Sequence, residues 1–210
     1  MKLLVAVPST DYMHCEFVKS LCELLARIRN DGIQADLCIE YGSLVYMARD
    51  RLAHKAVNEG YSDVLWLDSD MVFTDELLED LQFSGEPFVT GLAVSRRKPF
   101  QSCIFKSVDP VRGGDKFGDA DTLPTNTFEV AACGFACVLI STEILAAVMK
   151  NTGACFRPEY GYGEDVAFCM RARSLGYKIF AEPSAKVGHI GHLIIYPDDV
   201  KKYRDEWQRG

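Results

Sequence analysis

Val64-Leu65-Trp66-Leu67-Asp68-Ser69-Asp70-Met71-Val72-Phe73 decides how this chain folds. The unbroken apolar run reads as a buried strand. It ends on two carboxylates, and leaving them at the exit of such a strand is costly unless something there needs negative charge. A divalent cation is the usual reason, because carboxylate oxygens suit hard ions such as Mg²⁺ or Mn²⁺. With a strand's period of two, Asp68 and Asp70 would leave on one side while Ser69 points away. The competing reading is a strand-to-helix turn in which an Asp caps the next helix.

Strand-like and helix-like segments alternate around this stretch. Lys2–Val7 reads as a buried strand, and Phe17, Val18, Leu21, Leu24, Leu25 and Ile28 recur at helical spacing with Gly32 as a stop. Gln34–Glu40 is a strand, Val45–Asn58 a helix ending at Gly60, and Asp63–Leu67 the next strand. Thr74 can cap a short helix through Leu81, and Phe88–Val94 is a further strand. This alternation indicates an α/β domain with a parallel, doubly wound sheet, whose ligands bind at the carboxyl ends of the strands. Pro8-Ser9-Thr10, Glu40 and Asp68–Asp70 all fall at strand exits, so one shared cleft is expected.

Beyond Pro99 the pattern changes. Gln101–Lys106 reads as a strand, and 107–126 is rich in Asp, Gly and Pro and long for a compact domain, hence a functional or mobile loop. Phe128–Ser141 is apolar and interrupted by Gly134. Thr142 can cap a helix through Lys150, Gly163–Leu175 is a second helix, and Lys178–Ala181 a strand. No internal repeat or linker divides the chain, so a single domain is expected.

Composition narrows the function classes. At 210 residues with 48% hydrophobic and 25% charged content, the chain fits one soluble globular domain. A net charge of −7 argues against nucleic acid as the main partner, and the short basic cluster Arg96-Arg97-Lys98 does not alter that. The Met1–Pro8 stretch is too short for a secretory h-region and is broken at Pro8, and no run approaches the ~20 apolar residues of a membrane span. A cytoplasmic protein is expected. The eight cysteines include no CxxC pair, which favours buried, reduced thiols over zinc or disulfides.

Three more groups could carry chemistry. Glu164 and Asp165 in Gly161-Tyr162-Gly163-Glu164-Asp165 sit in the first turn of a helix, where the dipole favours carboxylates; a general base there is the functional alternative. His189 and His192 in Gly188-His189-Ile190-Gly191-His192 offer an imidazole to the cation near Asp70, or simply satisfied histidines. Arg49 heads a helix facing the cleft, where its fork could bind a base or a phosphate, or pair at the surface with Asp50 or Glu59.

Taken in order, the strand ending at Pro8, then Glu40, Arg49, Asp68-x-Asp70, Gly134, Glu164-Asp165 and His189 resemble the landmarks of glycosyltransferases with the GT-A fold. The segments VLWLDSDMVF, VTGLAVSRR, ACGFACVLIS and GYGEDVAFCMRARSLGYKIFAEPSAKVGHIG carry the likeness over residues 2–195, closest to small single-domain bacterial or phage-borne members. The resemblance implies a Rossmann-like, mixed but mainly parallel sheet, with 1–98 as a nucleotide-binding half and 99–210 as an acceptor and catalytic half. It implies a nucleotide-sugar donor, UDP-linked, with Mn²⁺ or Mg²⁺ as cofactor and a hydroxyl acceptor. Asp70 would bind the cation, His189 would complete the coordination, and Asp68 would contact the ribose or a metal-bound water. Glu40 and Arg49 would read the uracil edge, with Pro8, Ser9, Thr10 and Ser69 along the nucleotide. Asp165 would be the base for the acceptor hydroxyl, favouring inversion, and Glu164 its support.

Asp50 departs from the asparagine many relatives carry after that arginine. The Gln-x-x-Arg-Trp signature of processive synthases is absent. Aromatic Phe156, Tyr160 and Tyr162, with the 107–126 loop, are candidates for shaping the acceptor site, with a small core cluster as the equal alternative for the aromatics, and the 201–210 tail gives no partner signal. Two other classes fit parts of the pattern. A nucleotide-sugar-forming nucleotidyltransferase would want a Gly-rich, basic loop after the first strand, where Pro8-Ser9-Thr10-Asp11 stands. A non-catalytic nucleotide-binding module would share the fold.

Overall fold

The structure, a computed structural model, describes residues 1–96, 98–109, 113–118, 122–159, 161–191 and 194–199. Expectations placed on Arg97, Tyr160, His192, parts of 107–126 and the 201–210 tail lie outside the described residues. In chain order the elements are β1 (Lys2–Pro8), α1 (Cys15–Asn30), β2 (Gln34–Glu40), α2 (Val45–Asn58), β3 (Asp63–Leu67), β4 (Met71–Val72), α3 (Leu77–Phe83) and β5 (Phe88–Leu92). Then follow β6 (Ile104–Asp109), β7 (Gly113–Lys116), β8 (Phe128–Val130), β9 (Ala132–Cys133), β10 (Cys137–Ser141), α4 (Thr142–Thr152), α5 (Glu164–Ser174), β11 (Ile179–Lys186), β12 (Gly188–Ile190), β13 (Ile194–Ile195) and a 3₁₀ turn (Pro197–Asp199).

The apolar run of β3 lies inside a seven-stranded sheet ordered β2-β1-β3-β10-β5-β11-β8. β1 pairs in parallel with β2 and β3, and β5 with β11, while β10 runs antiparallel between β3 and β5 and β8 runs antiparallel at the edge. The sheet is therefore mixed and mainly parallel. Alternation along the strands splits the core in two. Leu4, Ala6, Val64 and Trp66 face one cluster with α2, α4 and α5 residues, and Leu3, Val5, Val7, Leu65 and Leu67 face another with α1 and α3 residues. Strands covered on both faces need apolar residues at every position, which is why β1 and β3 read as continuous hydrophobic runs.

The first core is aromatic. Phe135 packs edge-on against Trp66, Phe156 and Phe168 with ring centroids 5.9, 5.0 and 5.4 Å apart, and Phe156 stacks on Phe168 at 4.8 Å. This box stands directly below the exit of β3. Cys137 at the start of β10 pairs with Leu67, so Gly134–Ala136 passes beside the carboxylates, and the Asp68 N–H donates to the Ala136 carbonyl at 3.1 Å. Two small sheets complete the frame: β4 with β12 and β13, and β6 with β7 and β9.

Several local expectations are corrected. Asp68–Asp70 is a turn between β3 and β4, closed by the Met71 N–H on the Asp68 carbonyl, so the strand period does not govern its side chains. Part of 107–126 is not loop: β7 pairs antiparallel with β6, which itself starts at Ile104 and not at Gln101. α3 begins at Leu77, with the Thr74 carbonyl accepting the Leu77 N–H, and no side chain caps it. Ser141, not Thr142, caps α4, through its hydroxyl and the Glu143 N–H. β5 ends at Leu92, with Val94 in an isolated bridge to Ser102, and β11 runs on to Lys186. All eight cysteines are free thiols, but Cys15 and Cys22 are exposed on α1 and not buried.

Candidate functional site

The turn after β3 opens into a cavity of about 380 Å³ at the carboxyl end of the sheet. Pro8, Ser9 and Thr10 from the exit of β1, Asp68, Ser69 and Asp70 from the turn, Ser43 and Val45 from the start of α2, and Tyr12, His14 and Arg96 line it. The β1 exit is fixed by the Ser9 N–H on the Glu40 carbonyl at 2.9 Å, while the Glu40 carboxylate pairs with Arg51 at 2.7 Å. A larger cavity, about 580 Å³, lies between Pro99–Ser102 and Gly114–Gly118. The smaller cleft is the candidate site, because it gathers the strand exits and both turn carboxylates.

Arg49 lies beneath the cleft floor, with 4% of its side chain exposed. Its Nη2 donates to Asp68 Oδ1 at 2.8 Å, its Nε stands 3.4 Å from Glu164 Oε1, and Nη1 reaches the Phe135 carbonyl at 3.5 Å. Its guanidinium also faces the Phe135 ring, 5.3 Å from the centroid. One buried arginine thus ties the turn after β3 to the start of α5. Burial still outweighs this cation: desolvation first, with Asp70 and Asp165 adding repulsion, pushes the Asp68 carboxyl up to about 6 despite Arg49.

The sign of the resulting pH effect is definite. The native state holds the Asp68 proton between 3.8 and about 6, so this group's contribution to stability falls as pH rises through that window and stays lower above it. Asp68→Asn removes the titration, so the variant gains on the wild type by about 2 kcal/mol between pH 4 and pH 7. Urea unfolding of both proteins at several pH values measures this; parallel curves would assign Asp68 an ordinary carboxylate.

Asp70 is held from the other side. β12 pairs with β4, placing His189 opposite Met71, and the Ile190 N–H donates to the Asp70 carbonyl at 2.8 Å. His189 Nδ1 donates to the Val94 carbonyl at 2.8 Å, which leaves Nε2 facing Asp70 Oδ2 at 3.2 Å. Arg96 Nη1 meets the same oxygen at 2.6 Å. Desolvation opposes both charges, yet the hydrogen bond and proximity between them raise the His189 pKa and lower that of Asp70, with Arg96 helping the carboxylate.

These residues fit a divalent cation that arrives with a phosphate ligand. An imidazole whose second nitrogen is pinned to a carbonyl has the arrangement of a metal-ligating histidine. Among the described residues no three His, Cys, Asp or Glu side chains form a ready-made cage. Mg²⁺-type sites commonly lack one, using one or two carboxylates and completing the shell with substrate phosphates and water.

Asp165 sits in the first turn of α5, where its Oδ1 accepts the Val166 N–H at 2.7 Å. A Cβ on Gly163 would lie 3.0 Å from Oδ1, and one on Gly134 3.6 Å from Oδ2, so both glycines leave room around this carboxyl. Burial raises its pKa, with Glu164 adding to the rise and Val166 and Arg49 partly offsetting it. The helix start is clamped through the preceding segment. Asp50 accepts the N–H groups of Cys155 and Phe156, each at 2.8 Å, and Arg171 donates to the Cys155 and Arg157 carbonyls and pairs with Glu159. Asp50 thereby serves the 155–159 segment.

The fold thus gathers Pro8, Ser9, Thr10, Asp68, Ser69 and Asp70 in one cleft, adds His189 on Asp70, and links Asp68 to Glu164 through Arg49. The Glu40 side chain is not part of the cleft lining and pairs with Arg51. Sequence reasoning missed Arg96 as a site residue, together with Asp50 and Arg171 as clamps. The signal for Arg96 was present: it follows β5, whose exit points the same way as those of β1 and β3.

No protein-family model matches the chain, and no curated protein matches it in sequence. Solved structures do. The crystal structure of A197 from STIV is similar with a TM-score of 0.64 and 19% identity, over 94% of this chain and 91% of that one. The catalytic domain of Drosophila β1,4-galactosyltransferase 7, in complex with xylobiose, is similar with a TM-score of 0.52 and 16% identity, over 86% of this chain and 64% of that one. At these identities the likeness is one of fold: this mixed α/β domain has the Rossmann-like GT-A architecture.

Proposed function

We propose that the chain is a metal-dependent glycosyltransferase that moves a sugar from a nucleoside-diphosphate sugar, UDP-linked, to an acceptor hydroxyl with inversion. The observation that carries this reading is the Asp68–Asp70 turn. It presents two carboxylates in a cleft at the strand exits, with His189 Nε2 poised on Asp70 and the raised Asp165 carboxyl behind Arg49 and Glu164. The GT-A architecture, shared with a galactosyltransferase domain, supports it.

In this reading residues 1–98 supply the nucleotide half and 99–210 the acceptor and catalytic half. The backbone of Pro8–Thr10 and the Glu40 side chain lie along the nucleoside, with Ser69 beside its ribose. Asp70 and His189 would hold the cation, Mn²⁺ or Mg²⁺, and Asp68 would support that site or bind the ribose. When bound, that cation would neutralise charge developing on the leaving diphosphate. Arg49, buried on Asp68 and Glu164, orders the carboxylates and leaves the base edge to Glu40.

The acceptor oxygen bonds to the sugar's anomeric carbon as the bond from that carbon to the phosphate oxygen breaks. The hydroxyl proton passes to Asp165, whose raised pKa brings it nearer to working pH as a base. Glu164, in the same helical turn, supports the acceptor side. The acceptor would approach through the cavity lined by Gln101, Ser102 and Phe117, since the next residue, Cys103, packs over Gly134 beside Asp165. Free thiols at all eight cysteines suit a reducing cytosol, and among the described residues no helix is long and apolar enough to cross a membrane.

Thermal shift with UDP, GDP, CDP, ADP and dTDP, each with and without Mn²⁺, tests the reading. Binding to the native state raises Tm by mass action. UDP is expected to raise Tm only with Mn²⁺, and Asp70→Asn to abolish the rise. No shift with any diphosphate would reduce the turn to structural carboxylates.

A further inference from the structure

We infer that Arg96 is a built-in counter-cation for Asp70 that hands over to the donor's diphosphate when a divalent cation takes the carboxylate. The inference rests on the cation site proposed above.

Two arginines neutralise the turn carboxylates, and their settings differ. Arg49 is 4% exposed and bonded to Asp68, close to Glu164 and the Phe135 carbonyl, so it is built into the core. Arg96 is 49% exposed and reaches Asp70 from the segment just past β5, as part of the cleft wall. Its 2.6 Å contact falls on Oδ2, the oxygen that His189 also addresses. A cation shared by Asp70 and His189 would sit on the side of Asp70 that faces His189 Nε2, which is the side Arg96 now occupies. The guanidinium would there stand against a double positive charge and share its acceptor with it, so the pair is weakened. An exposed side chain gives way at little cost, whereas Arg49 could not.

The displaced group remains in the same cleft, where the incoming diphosphate brings new acceptors. A planar guanidinium matches phosphate oxygens in a two-bond fork that an ammonium lacks. Without ligand, Arg96 spares Asp68 and Asp70 an unscreened repulsion. With ligand, the same charge moves to the phosphates. Arg96 is therefore a positioning residue whose two states pull metal affinity and diphosphate affinity in opposite directions.

That opposition is the test. Mn²⁺ binding is followed by the EPR signal of free Mn²⁺, and UDP binding at saturating Mn²⁺ by calorimetry, for wild type, Arg96→Gln, Arg96→Lys and Asp70→Asn. Arg96→Gln is expected to bind Mn²⁺ alone about threefold more tightly, the scale of a half-exposed ion pair. It is expected to bind UDP about tenfold more weakly, the scale of a charge-assisted hydrogen bond. Arg96→Lys, which keeps the charge and loses the fork, falls between on both. A merely structural arginine would move both affinities the same way or neither, and either result overturns the inference, as does tighter Mn²⁺ with unchanged UDP affinity. Wild type that binds no Mn²⁺ with or without UDP, or Asp70→Asn that keeps the metal, overturns the proposed cation site as well. Metal binding that Asp70→Asn abolishes and Arg96→Gln leaves unmoved overturns the Arg96 inference alone.

Discussion

If the proposed transfer holds, Asp165→Asn is expected to lower kcat by about 10²–10⁴-fold, the span of a general base, while nucleotide binding stays intact. The substitution keeps shape: an amide oxygen still accepts the Val166 N–H that now meets Oδ1 at 2.7 Å, so the first turn of α5 keeps its local bond. It also removes a carboxylate whose pKa is raised by burial, so the variant is expected to be no less stable than the wild type. The loss therefore falls on proton acceptance and nowhere else. Single-turnover release of nucleoside diphosphate from the donor, with Tm shifts by Mn²⁺ and nucleotide as control, separates the two. Turnover within a few-fold of wild type would remove Asp165 from the reaction. Loss of turnover together with loss of the nucleotide shift would make Asp165 a part of the cleft's architecture.

Arg49→Met is the largest stability loss expected from one substitution here, about 3–5 kcal/mol, because removing one partner of a buried ion pair strands the other. Methionine fills the space and continues the helix, so the penalty is electrostatic: Asp68 loses its 2.8 Å partner, Glu164 its 3.4 Å one, and both face Asp165 uncompensated. The sign with pH follows. Without the cation Asp68, already pushed up to about 6, protonates more readily still, so the penalty is largest at pH 7–8 and shrinks towards pH 5, where its neutral carboxyl needs no partner. Arg49→Lys recovers only part of it, since a single ammonium cannot reach Asp68, Glu164 and the Phe135 carbonyl together. Urea unfolding of the three proteins at pH 5 and pH 8 gives the comparison. A penalty below about 1 kcal/mol at pH 8 would mean that water, and not Arg49, carries the charges of this pocket.

Both predictions concern residues the sequence already marked, yet it assigned Arg49 to a nucleobase edge or a surface pair. Its position on α2 was legible: Val45–Asn58 falls on the helix read from periodicity. Its partners were not, because they come from the turn after β3 and the start of α5, 115 residues further along. Asp50 shows the same limit. Beside an arginine in a helix it reads as a variation at the nucleotide site, whereas the fold carries it to the backbone of Cys155 and Phe156.

Turns and antiparallel insertions were the least legible parts. Asp68–Asp70 reads as the exit of β3 with the strand's period carried into it, but a tight turn releases it from the sheet. Strand period therefore predicted a common side for the carboxylates and the wrong side for Ser69, which lines the same cleft. β7 hides in a stretch rich in Gly and Asp, where its pairing with β6 overrides weak local preference.

The sequence by itself determined the alternating elements of the first half and the sheet edge at which their exit residues gather. Continuous apolar runs need cover on both faces, periodic ones need it on one, and carboxylates at strand exits can only meet beyond the sheet's carboxyl edge. Only the tertiary structure decided which charges meet. His189 stands on Asp70, 119 residues away along the chain, because β12 pairs with β4, and Arg96 joins them because β5 runs parallel to β3 with β10 between them. Charge pairing depends on distance in space to within an ångström, and that distance is set by strand register, which spacing along the chain does not encode.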